Sequence, residues 1–187
     1  MPADSDLVLL EQTLEGDEGA FTTLYRRRQA AVYRFALQMT GNEDAAQDVT
    51  QETFLALLTQ GARYDAARGT LASFLFGIAR HQVHKRLARQ RHEEPEEAAD
   101  LADSGADLLD GLTRQQTADQ VRQAILSLPP QYREVVVLCD LQESSYEEAA
   151  AALDCPVGTV RSRLSRGRSM LARKLKGTAM LLATCLL

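Results

Sequence analysis

The stretch RHEEPEEAADLADSGADLLDGL, Arg91 to Leu112, does most to limit what this chain can become. It is rich in Glu, Asp and Ala, holds Pro95, Gly105 and Gly111, and offers only short apolar pairs. With no face to bury, it reads as a linker. Taking 93–113 as that linker divides the 187 residues into two pieces, 1–92 and 114–187. Each piece is near the lower limit for a self-sufficient core, and no internal repeat relates them. Both read as helix: 45% of the residues are hydrophobic, only five are proline, and no two-residue alternation is sustained. The expected fold class is all-α, two small helical domains joined by an acidic linker.

The formal charge of −5 conceals a strong division. Residues 1–20 carry −6, 21–92 carry +6, 93–120 carry −8, 121–155 carry −4 and 156–187 carry +7. Two basic blocks set among acidic ones imply two surfaces for a polyanion, nucleic acid first, with acidic segments that solvate or restrain the chain.

Several other classes are disfavoured. Cys139, Cys155 and Cys185 contain no CxxC pair and are odd in number, which argues against a disulfide framework or zinc ribbon and for a reducing cytoplasm. The acidic first twenty residues lack the pattern of a signal peptide. The apolar run Thr178 to Leu187 has ten residues, where a membrane span needs about twenty. It is expected to be a packed helical tail, with no membrane insertion. No glycine loop for phosphate, nucleophile elbow or paired-carboxylate acid and base occurs, so no catalytic residue and no cofactor are expected. His81 and His84 share a helix face but lack further ligands, with His92 eight residues on, so no metal is expected.

Punctuation divides the second piece into short helices. Pro129 and Pro130 end one helix and start the next, which runs through Val135 to Leu141. Ser145 with Glu148 three residues on forms a capping box for a short helix through Leu153. The turn DCPVG follows, and Pro156 opens a final helix carrying Arg161, Arg163, Arg166 and Arg168. Short helix, tight turn and basic helix is the order of a helix-turn-helix. On the last helix, Val160, Leu164, Leu171 and Leu175 fall within about 60° of one another, with Gly167 on the same side where two helices can approach closely. Thr159, Arg161, Ser162, Ser165, Arg166 and Arg173 cover much of the remaining arc, supplying guanidinium and hydroxyl groups for base edges and phosphates. A solvated basic face has the same composition, but the coincidence of cap, turn, stripe and charge favours DNA.

In the first piece, Asp48, Gln51, Glu52 and Leu55 sit at i, i+3, i+4 and i+7 on a helix that starts near Asn42. They form one stripe suited to a basic partner helix, and a solvated acidic face fits the same spacing. Further on, RYDAARGT precedes a helix whose early turns carry Leu71, Phe74, Leu75 and Ile78 and whose end, RHQVHKRLARQRH, is basic. The early turns are expected to pack and the late ones to face DNA.

Two blocks carry a wider resemblance. LPPQYREVVVLCDLQESSYEEAAAALDCPVGTVRSRLSRGRSML resembles domain 4 of bacterial sigma factors, which reads the minus-thirty-five promoter element. FTTLYRRRQAAVYRFALQMTGNEDAAQDVTQETFLALL with RYDAARGTLASFLFGIARHQVHKRLARQRH resembles their domain 2. A chain with only these two domains is similar to the extracytoplasmic-function (ECF, group 4) sigma factors of the sigma-70 family. That resemblance implies a non-enzymatic subunit that binds core RNA polymerase, through its beta and beta-prime subunits, and directs it to promoter DNA. It implies polymerase contacts from Asp48, Gln51, Glu52, Phe54 and Leu55. It implies minus-ten contacts from Tyr64, Phe76, Arg80, His81, Lys85 and Arg86, of which Tyr64 and Phe76 fit a core role equally well. Minus-thirty-five contacts are implied for Thr159, Arg161, Ser162, Arg163, Ser165 and Arg166. Gln47 and Leu58 replace a usual glutamate and tryptophan, and His81 replaces a usual asparagine. An anti-sigma factor is an expected partner, and the free chain is expected to be a monomer. The competing readings are a stand-alone helix-turn-helix regulator on an operator and an interaction protein without DNA function.

Overall fold

Helix boundaries fall where side chains can satisfy the free amides of a first turn. The computed structural model describes residues 5–93 and 114–184, and among them there is no strand. Helix α1 (Asp6–Leu14) is capped by Ser5, and α2 (Glu18–Thr40) by Asp17, whose Oδ1 accepts from the Gly19 and Ala20 amides at 2.7 and 3.0 Å. Gly41, at φ 70°, ends α2 in the left-handed conformation that glycine adopts without cost. Asn42 then caps α3 (Glu43–Gln60), accepting from the Ala45 amide at 2.8 Å. A single 3-10 turn (Gly61–Arg63) leads into the loop before α4 (Leu71–Glu93). Helices α1 to α4 pack around Leu24, Val32, Phe35, Met39, Val49, Phe54, Leu57, Leu75 and Val83, all at most 2% exposed.

The second group comprises α5 (Arg114–Leu126), α6 (Pro130–Val136), α7 (Tyr146–Leu153) and α8 (Val157–Thr184). Pro130 opens α6, but the apolar stretch expected as one α-helix widens into a π turn over Val137–Leu141. Val137 and Leu138 are fully buried on that widened turn, Cys139 is half-buried and Leu141 is exposed. The capping box is complete: the Glu148 amide donates to Ser145 Oγ at 3.1 Å and the Ser145 amide to Glu148 Oε2 at 2.9 Å. Asp154, at φ 49°, turns the chain into α8. Val160 and Leu164 are buried, Leu171 and Leu175 half-buried, as the stripe requires. Gly167 is needed where it stands, because a Cβ there would lie 2.8 Å from Val136 Cγ2.

The two groups of helices touch. Helix α7 packs on α4, and α5 and α6 pack on α2. A Cβ on Gly77 would come within 3.3 Å of the Ala152 carbonyl, and one on Gly69 within 3.0 Å of Ala151 Cβ. The acidic linker reading, and that of the apolar tail from Met180 to Leu187 as a packed segment, fall outside the described residues and side chains.

Candidate nucleic-acid interface

Three surfaces carry the residues singled out in the sequence. On α8, Arg161, Ser162, Ser165 and Arg166 are exposed, and Thr159 and Arg163 half-buried, on the side opposite Val160 and Leu164. The Arg161 guanidinium lies 5.6 Å from the centre of the Tyr146 ring, and Arg168 pairs with Asp140 at 2.6 Å. That pairing holds Arg168 against the π turn that follows α6 and raises its pKa further, chiefly through the hydrogen bond. A rigid turn thus presents a row of guanidinium and hydroxyl groups on one helix face, the geometry that fits a DNA groove.

On α3, Asp48, Gln51, Glu52 and Leu55 are exposed on one side, while Val49, Thr53 and Leu57 are buried on the other. Leu55 is 63% exposed and Leu58, one turn away, 43%. Phe54 does not belong to that outward stripe. It is 2% exposed and stacks edge-on with Phe21 and Tyr25, so it fixes α3 from beneath and cannot touch a partner directly.

The third surface is the loop before α4 with the outer face of α4. His81 and Lys85 are exposed, and Arg86 donates to Asp48 at 2.7 Å, tying this face to the α3 stripe. Tyr64 stacks on Phe74 and donates from its hydroxyl to the Gly69 carbonyl at 3.1 Å, fixing the loop. Phe76 is a correction: at 6% exposed and against Phe35, it is a core ring. Between this surface and α7 lies a cleft of about 860 Å³ lined by Arg63, Tyr64, Arg68, Arg80 and His81 on one side and Glu147 and Cys155 on the other.

Sequence reasoning missed a buried carboxylate that meets the basic side of α4. Glu134 on α6 is 1% exposed, pairs with Arg80 and meets His84 Nε2. Beside it, Arg133 reaches across to donate to the Met39 carbonyl at 2.7 Å and to the Leu126 and Leu128 carbonyls. Burial lowers the Arg133 pKa, and the adjacent Glu134 carboxylate opposes that shift. The signal was a charged pair placed directly before the apolar run Val135 to Leu138.

Comparison with known proteins places the chain in a family. Residues 24–93 match the model for Sigma-70 region 2, and residues 118–171 that for Sigma-70, region 4. The ECF RNA polymerase sigma-E factor of Salmonella typhimurium is 32% identical over 185 residues, covering 92% of this chain and 95% of that protein. The chain belongs to the ECF group of the sigma-70 family. ECF sigma factor SigE of Mycolicibacterium smegmatis is 36% identical over 163 residues, covering 83% of this chain but only 63% of that longer protein. Among solved structures, the sigma factor RpoE of Bartonella quintana, in complex with the anti-sigma factor NepR, superposes with a TM-score of 0.67 at 26% identity, covering 83% of this chain and 96% of that one. The region 2 match ends at Glu93 with helix α4, and the region 4 match spans α5 through the buried stripe of α8.

Proposed function

We propose that this sigma factor binds core RNA polymerase through the exposed side of α3 and places it on promoters through its two basic surfaces. It acts in the cytoplasm and is a monomer when free. The minus-thirty-five element falls to Thr159, Arg161, Ser162, Arg163, Ser165 and Arg166. The minus-ten strand falls to Arg80, His81, Lys85 and Arg86 with the loop at Tyr64, and Phe76 packs behind them. No helix among the described residues is long and apolar enough to cross a membrane. Because RpoE of Bartonella quintana forms a complex with an anti-sigma factor, a protein of that class is the proposed restraining partner.

The observation that carries the reading is the split on α3. Two leucines one turn apart stand in water beside Asp48 and Glu52, while the same helix buries its other side completely. An apolar pair framed by carboxylates suits a partner surface of basic residues around an apolar centre. Replacing both acids, Asp48→Lys with Glu52→Lys, is expected to weaken core polymerase binding at least about tenfold by like-charge repulsion. Helix content and thermal unfolding should stay as they are, since both positions are exposed and the Asp48–Arg86 pair is a surface pair of small value. Unchanged affinity for core polymerase in a fluorescence-anisotropy titration would overturn the reading.

A further inference from the structure

Two arginines on the same side of α8 are held in different ways. Arg161 and Arg168 are two turns apart, so their side chains leave the helix in nearly the same direction. Arg168 donates from Nε and Nη2 to the two Asp140 oxygens at 3.2 and 2.6 Å, which commits both donors to a fixed acceptor. Arg161 has no such carboxylate among the described residues; its guanidinium lies 5.6 Å from the centre of the Tyr146 ring. A cation over a ring is attracted by the π face and gives up no acceptor-bound donor, so its N–H groups stay available.

The turn itself places the ring. Tyr146 is the first residue of α7, next to Ser145, whose capping box with Glu148 fixes where that helix begins. Asp154, at φ 49°, sets the turn into α8, and burial of Val160 and Leu164 fixes which side of α8 faces out. Tyr146 is 36% exposed and Arg161 is exposed, so the pair stands on the surface that carries the other groups assigned to DNA. A free arginine side chain has many rotamers, and ordering it at the moment of binding costs affinity. Holding it on a ring that the fold has already fixed removes part of that cost in advance.

We infer that Tyr146 is a positioning residue for minus-thirty-five recognition, its ring face holding the Arg161 guanidinium ready for DNA. The inference rests on the reading of α8 given above and extends it to the first helix of the helix-turn-helix. Tyr146 acts through Arg161, and its ring carries the effect rather than its hydroxyl. At an exposed site such an attraction amounts to a factor of about two to five in affinity, and it grows as DNA excludes water.

The test uses holoenzyme assembled from the full chain and core polymerase, with a fluorescein-labelled promoter duplex titrated at low temperature, before the strands open. Tyr146→Leu keeps apolar bulk and suits a helix but has no π face, while Tyr146→Phe keeps the ring and loses the hydroxyl. Tyr146→Leu should weaken promoter binding at least about two- to fivefold, and Tyr146→Phe should bind like the parent. In an Arg161→Ala background, which is itself weakened, Tyr146→Leu should cost nothing further. Whichever quantity Arg161→Ala changes, the preference at one minus-thirty-five position or the salt slope, Tyr146→Leu should shift in the same direction. A loss of equal size in both backgrounds, a loss in Tyr146→Phe, or parent-level binding by Tyr146→Leu would overturn the inference. In those cases the reading of α8 stands as long as Arg161→Ala weakens binding. Parent-level binding by Arg161→Ala would remove Arg161 from that reading and overturn the inference with it.

Discussion

Cys139 and Cys155 are both half-buried thiols, yet their surroundings differ. Burial pushes the Cys139 thiol up to about 11, the neighbouring Asp140 carboxylate adds to the shift, and Arg168 opposes it. A raised thiol pKa means that the folded chain favours the protonated form. Its stabilising effect is complete below the ordinary value of 9.0 and is lost as the pH climbs from there to about 11. At pH 8 the thiolate is about one part in a thousand, so iodoacetamide should modify Cys139 slowly, with the rate rising about tenfold per pH unit. Peptide mapping by mass spectrometry checks this, and rapid labelling of Cys139 at pH 8 would contradict it. The same scale shows what a sequence conceals about single residues. Phe54 and Phe76 sit beside functional positions along the chain, but a helix turns each of them inward, and a motif match does not report the direction of a side chain. Asp48, Glu52 and Leu55 were legible because a spacing of three and four on a helix fixes a common face.

At the scale of elements, the second half was legible because its signals are local. Ser145 and Glu148 make the cap that their spacing announces, and Val160 with Leu164 makes the buried stripe. The π turn over Val137–Leu141 was not legible, since an apolar run carries the same pattern in an α or a π turn. Gly167 offers the sharpest check on how α8 is held. Helix propensity favours alanine there by about 1 kcal/mol. The added Cβ would meet Val136 Cγ2 at 2.8 Å with the Tyr132 carbonyl 3.4 Å away, and overpacking of a stiff β-branched neighbour costs about 1 to 3 kcal/mol. Overpacking wins, so Gly167→Ala should lower stability in urea unfolding by about 1 kcal/mol. A stabilised variant would mean that α6 and α8 stand further apart.

At the scale of the molecule, charge blocks and two motif regions were enough to reach the family, whereas the packing of α7 on α4 was not foreseeable. That contact joins residues far apart in sequence, Arg80 with Glu134 and Met39 with Arg133, and rests on small residues that carry no pattern of their own. Across the cleft the basic loop before α4 faces Glu147 and Asp154 of the second group. The central role of the chain is to direct core polymerase to promoters. The most direct measurement is transcription in vitro with purified chain, sigma-free core polymerase and promoter templates. The account predicts discrete transcripts that need both chain and core and disappear when either promoter element is scrambled. Tight operator-like binding of duplex DNA by the chain alone, with no transcript when core is added, would contradict it.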